Sequence, residues 1–179
     1  MILDLCGGTG AWSKPYKDAG YDVFVVDKER GYDVRLFRLK GRERITGVLA
    51  APPCTHLAGS GARWWEGKGE AALLENLSIV DACLRIIQVC KPQWWALENP
   101  VGRLVHYLGK PKMYFQPLEY GDPYTKKTFL WGDFTPPKKR PVEPIEGGKI
   151  HRMGPSPDRA KLRSITPPGF AQAFFEANP

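Results

Sequence analysis

The chain predicts an α/β fold with a doubly wound, mostly parallel sheet covered by helices on both faces, and three observations carry that reading. Short apolar runs of strand length alternate with segments of helical period. The first run breaks into the glycine-rich stretch Gly7-Gly8-Thr9-Gly10, and the later runs end in polar or reactive residues.

Ile2–Leu5 is the first strand, and after the glycine turn Ser13 and Pro15 open a helix that Gly20 closes. Val23–Val26 forms a second strand ended by Asp27, and Gly47–Ala51 a third that runs into Pro52-Pro53-Cys54. Leu73, Leu77, Val80, Leu84 and Ile87 recur at helical spacing, so a helix spans Glu70–Cys90 and stops before Pro92. Cys83 and Cys90 fall within it and read as packing residues. Trp94–Leu97 is the next strand and leads into Glu98-Asn99-Pro100, and strand-like segments follow at Met113–Gln116 and Thr128–Trp131. Gly132–Arg163 is rich in proline, glycine and basic residues, and reads as a loop or minimal subdomain. A last helix follows Pro167-Pro168 and carries Phe170, Phe174 and Phe175. In such a sheet ligands collect at the carboxyl ends of the strands. Gly7–Gly10, Asp27, Cys54 and Glu98 each end a strand, so they converge on one edge.

With 179 residues there is room for one well-buried domain. A composition of 42% hydrophobic and 25% charged residues is that of a globular protein, and no apolar run is long enough to span a bilayer. Without a basic region before its short apolar stretch, the N-terminus reads as cytoplasmic rather than secreted. The four cysteines contain no CxxC pair, which argues against a disulfide framework, and Cys54 with His56 is half a ligand set, so no metal is expected. A formal charge of +7 suits a partner carrying phosphates.

A glycine turn between strand and helix brings backbone amides close to a ligand, and an acid ending the next strand accepts bonds from ribose hydroxyls. Gly8-Thr9-Gly10 is not the full GxGxxG, which disfavours NAD. Cys54 stands on two prolines at a strand end, a rigid setting for presenting a thiol that, as thiolate, attacks electron-poor ring carbons. Gly59-Ser60-Gly61 reads as a flexible loop carrying Arg63, Trp64 and Trp65, suited to closing over nucleic acid and filling the space of a displaced base. Glu98 ends an apolar strand whose surroundings favour the protonated acid, the form that donates to a cytosine N3.

The ordered set DLCGGTG, Asp27, APPC, LENP, YTKKTFLWG and RSITPPGFAQAF resembles the C5-cytosine DNA methyltransferase family, and most resembles its compact phage or prophage-type members. The resemblance implies S-adenosylmethionine held by Leu5, Cys6, Gly7, Gly8, Thr9, Gly10, Trp12, Asp27, Asp33 and Pro53. It makes Cys54 the covalent nucleophile and Glu98 the group that engages N3. Pro52, Asn99 and Pro100 shape the pocket, while Ser60, Arg63, Lys126, Lys127, Lys138, Lys139 and Arg140 contact DNA. Arg163–Ala171 looks like the family's last motif, which closes the cofactor side.

The chain departs from the family's pattern in three places. Cys6 stands where the family usually carries phenylalanine, with Trp12 the substitute. Lysines replace a Gln-x-Arg-x-Arg pattern around Thr125–Thr128. Only a small basic insertion at about 133–162 takes the place of a recognition domain, so sequence specificity is expected to be short or relaxed. The expected product is 5-methylcytosine in DNA, made by a monomer or weak dimer. An enzyme acting on RNA or free nucleotides and a catalytically silent nucleic-acid-binding homologue stand as alternatives. The strand-glycine turn argues against a folate-dependent thymidylate synthase type, and Ala51 and Cys54 against an exocyclic-amine methyltransferase.

Overall fold

The computed structural model describes residues 1–39 and 44–179. Six strands, β1 (Ile2–Leu5), β2 (Val23–Val26), β3 (Gly47–Ala50), β4 (Trp94–Pro100), β5 (Met113–Phe115) and β6 (Thr128–Asp133), form one sheet in the order β2-β1-β3-β4-β6-β5. The first four run parallel. Only β6 is reversed, pairing antiparallel with both β4 and β5.

Among the described residues six helices accompany the sheet: α1 (Lys14–Asp18), α2 (Trp65–Cys90), α3 (Val105–Leu108), α4 (Lys149–Arg152), α5 (Arg159–Ser164) and α6 (Pro168–Ala177). Successive strand residues face opposite sides of the sheet, and the buried residues divide accordingly. Leu3, Leu5, Val48, Ala50 and Leu97 join Ile79, Val80, Cys83, Ile86 and Ile87 of α2 in one apolar layer. Ile2, Leu49, Trp94, Ala96 and Leu130 join Tyr16 of α1 and Phe170 and Phe174 of α6 in the other. This second layer is aromatic, with Phe115 stacked on Phe170 at 3.6 Å between ring centroids. Cys83 is fully buried, in keeping with a packing role.

Several boundaries differ from those the sequence predicts. β4 continues past Leu97 because β6 supplies partners for Glu98, Asn99 and Pro100 after β3 has ended at Ala50. Glu98 therefore lies within a strand that overhangs its parallel neighbour. The Gly59–Trp64 segment forms a 3-10 turn leading directly into α2, whose helical backbone is broken at Gly69 (φ 73°), where glycine tolerates the left-handed value. Arg63 lies over the Trp64 ring at 5.0 Å and Arg103 over Trp65 at 4.4 Å, so the tryptophans pack with arginines rather than ride on a free loop. Within the basic insertion, α4 and α5 are too short to show a helical period in sequence.

Candidate active site

The carboxyl ends of β1, β3 and β4 open into a small cleft with a cavity volume of about 90 Å³. Its lining includes Cys6, Gly7, Gly8, Thr9 and Trp12 from the first strand-turn-helix unit, and Pro52, Pro53 and Cys54 from the end of β3. Glu98, Pro100 and Lys126 line it from the β4 side. Residues distant in sequence thus share one cavity.

Hydrogen bonds fix the Cys54 segment to the end of β4. The Asn99 side-chain amide donates to the Pro52 carbonyl at 2.9 Å, and Arg103 Nε donates to the His56 carbonyl at 2.8 Å. Gly59 N–H donates to the Val101 carbonyl at 2.8 Å, and Arg103 N–H to the Leu57 carbonyl at 2.9 Å. The Cys54 carbonyl accepts from Leu57 and Ala58. The thiol and the Glu98 carboxyl are therefore carried on a single cross-linked unit.

Burial pushes both groups toward their neutral forms. Burial raises the Cys54 thiol above its ordinary value, and the Glu98 charge raises it further, while the cations Lys126 and Arg163 pull it down. Burial raises the Glu98 carboxyl, against the opposing pull of Lys126. Both shifts favour the uncharged forms, and protonating Glu98 takes away one of the charges that raise the thiol.

At the glycine turn the structure adds a residue that sequence reasoning did not single out. Asp4 lies within β1, fully buried, at the cleft's floor. Its Oδ2 accepts from Ser13 Oγ at 2.5 Å, whereas its Oδ1 has no partner among the described residues. Burial raises its pKa to about 6. Gly7 is required beside it, because a Cβ there would overlap the carboxyl. Gly8 adopts φ +50° with open space beside its Cα. Arg30, also unanticipated, donates from Nε to the Gly8 carbonyl at 3.4 Å.

Other predicted residues lie elsewhere. Leu5 is fully buried, and neither it nor Gly10 lines the cleft. Asp27 braces the turn instead, accepting from Gly8 N–H and Glu29 N–H at 2.9 Å each. Asp33 is held by Arg35, with Nη2 to Oδ2 at 2.6 Å, and that guanidinium keeps its carboxyl well below the usual range. Ser60 and Arg63 are exposed and outside the cleft lining. Lys127 sits 4.3 Å from the centre of the exposed Tyr114 ring. Lys139 pairs with Glu119 at 2.6 Å and Arg140 with Glu176 at 2.9 Å, so these two cations are already engaged. Lys138 is exposed. Conversely, Arg163, Ser164 and Thr166 line the cleft from the segment around α5.

Strand order, the single reversed strand and the cleft at the parallel strands' ends make this a methyltransferase-like α/β fold. Among solved structures it is similar to a crystal structure from E. coli, provisionally named a DNA modification methyltransferase encoded within a prophage. The TM-score is 0.51 at 17% identity, over 79% of this chain and 52% of the other. The chain thus spans about half the length of that relative. No family model matches the sequence, and no curated protein matches it. Among the described residues no helix is long and apolar enough to cross a membrane, and no cluster of metal-ligating side chains occurs.

Proposed function

We propose that this chain is an S-adenosylmethionine-dependent methyltransferase that modifies cytosine at carbon 5 in DNA through a covalent Cys54 adduct. The observation that carries the reading is the shared cleft: the Cys54 thiol and the buried Glu98 carboxyl, on segments joined by the Asn99–Pro52 bond, open into the same cavity as a glycine turn over a buried acid with an unpartnered oxygen.

The residues at the turn fit the cofactor. Gly7, Gly8 and Thr9 leave room for close backbone approach, and the unpartnered Asp4 oxygen offers a buried acceptor to a cationic amino-acid portion. When bound, the cofactor supplies an electrophilic methyl group.

Glu98, protonated, donates a hydrogen bond to the base N3 and draws electrons from the ring. Cys54 gives its proton to solvent and its sulfur forms a bond to C6, pushing the ring's electron pair onto C5, the carbon that a bound cofactor would methylate. Loss of the C5 proton then drives elimination, which breaks the carbon–sulfur bond, restores the ring and returns Cys54. A base must leave the stack to reach a thiol in a cleft, and a substrate polymer pays for that with backbone contacts.

The deciding experiment offers labelled cofactor with DNA, RNA and nucleotide pools, then identifies the modified base by mass spectrometry. DNA carrying 5-fluorocytosine should give a denaturation-resistant adduct with the wild type and none with Cys54→Ala. Label confined to RNA or nucleotides would reassign the substrate, and an adduct persisting in the variant would move the nucleophile elsewhere.

A further inference from the structure

We propose that Arg163 anchors the phosphate of the nucleotide whose base enters the Cys54 cleft, acting together with Lys126. The inference takes its substrate from the function proposed above.

Arg163 lies near the C-terminal end of α5 and lines the same cleft as Cys54, Glu98 and Lys126. It is half-buried, and among the described residues its side chain has neither an ion-pair partner nor a hydrogen bond. Neighbouring cations differ: Lys161, two residues earlier, pairs with Glu29 beyond β2 at 3.6 Å, and Arg140 with Glu176. A guanidinium taken partly out of water without a carboxylate partner is costly, and an anionic ligand would offset that cost.

Two anions are candidates, a carboxylate on the cofactor and a phosphate on the nucleotide, and the placement of charge separates them. At the glycine turn a cation is already in place, Arg30 on the Gly8 carbonyl, whereas Arg163 and Lys126 are the cations that line the cleft with Cys54 and Glu98, and both pull the Cys54 thiol down. Arg163 therefore serves the thiol half of the cleft. Its planar fork matches two phosphate oxygens at once, and a lysine beside it adds a point charge. The strap that carries it is tied down by Lys161 to Glu29 and by Ser164 Oγ donating to the Lys161 carbonyl at 2.8 Å. The segment that follows the basic insertion thereby contributes a wall of the cleft.

The test uses the full chain without cofactor, so that it stands even if methyl transfer is never seen. Cys54 is alkylated with anionic iodoacetate or neutral iodoacetamide, and the rates are read at that residue by peptide mass spectrometry. A fixed cation beside the thiol favours the anionic reagent. Arg163→Ala should lower the iodoacetate-to-iodoacetamide ratio about fivefold or more, and Arg163→Lys should hold it within about twofold of wild type. In wild type, dCMP and a short cytosine-containing oligonucleotide are each added as protectants. Protection by the first assigns the phosphate to a free nucleotide, and protection by the second alone assigns it to the polymer. An unchanged ratio in a folded Arg163→Ala protein, or protection by neither, overturns the proposal. Where methyl transfer is measured, a raised KM for the cofactor in Arg163→Ala with the KM for DNA unchanged overturns it as well. Failure of wild type to transfer methyl groups would sink the proposed function alone, leaving the alkylation result to decide the anion site.

Discussion

The Asn99 amide donates to the Pro52 carbonyl at 2.9 Å, and this bond ties the residue after Glu98 to the residue two before Cys54. Asn99 is fully buried, so removing the donor leaves a buried carbonyl unpaired. Asn99→Ala should lose about 1–3 kcal/mol in urea unfolding and should lower kcat more than it weakens the cofactor. Asn99→Asp should fare no better, because a carboxylate cannot donate. Wild-type stability and rate in both variants would show that the Cys54 and Glu98 segments are held by other contacts.

The charges around Cys54 set a prediction with opposite signs for two variants. The Glu98 carboxylate raises the thiol's pKa and Lys126 lowers it. Glu98→Gln should therefore make Cys54 react faster with iodoacetamide near pH 8 while abolishing methylation, and Lys126→Ala should make it react more slowly. If Glu98→Gln slowed alkylation, the carboxyl would be acting on the thiol as a base, and its role as an N3 donor would need revision.

Most of the sheet is legible in the sequence because its strands are short apolar runs bounded by glycine, proline or acid. What was hidden depends on partners far along the chain. The extension of β4 through Glu98 exists because β6, some thirty residues later, pairs with it. Asp4 sits in an apolar strand and draws no notice until Ser13, nine residues on, is seen to hold it. The Gly59-Ser60-Gly61 run reads as a flexible loop from its glycines, yet a backbone bond from Gly59 to Val101 and the arginine-tryptophan stacking order the segment. Cys54, Glu98 and the glycine turn were readable because each carries its chemistry in its own local context. Arg163 was readable only as part of a terminal motif, since its lack of a carboxylate partner among the described residues is a property of the folded chain.

Asp4 gives a pH dependence whose sign follows from its raised pKa. Below the ordinary value of 3.8 the acid is protonated in both folded and unfolded chains, and burial costs nothing extra. Between there and about 6 the folded chain retains a proton the unfolded chain has lost, so stability falls as pH rises, by about 3 kcal/mol in all. Asp4→Asn, which still accepts from Ser13, should remove this decline from unfolding curves measured between pH 4 and 7. Cofactor affinity should move the other way in wild type, strengthening as Asp4 ionises through about pH 6, and should lose that dependence in Asp4→Asn. Calorimetric titration across that range checks it, and a pH-independent wild-type affinity would remove Asp4 from the binding site.

Engagement of Lys139 by Glu119 and of Arg140 by Glu176 bears on how DNA is held. Affinity for a duplex falls with salt in proportion to the phosphates neutralised, with a slope of about −0.9 per contact. A cation already paired within the protein must break that pair before it can serve a phosphate, so it contributes little to the slope. Lys127 has no carboxylate partner among the described residues and is exposed over Tyr114. Lys127→Ala should therefore make the slope shallower by about 0.9, whereas Arg140→Ala should leave it nearly unchanged. Fluorescence anisotropy with one labelled duplex over a series of salt concentrations measures both. Equal changes in the two variants would mean that Arg140 leaves Glu176 on binding, and that the basic insertion opens toward the DNA rather than staying folded along α6.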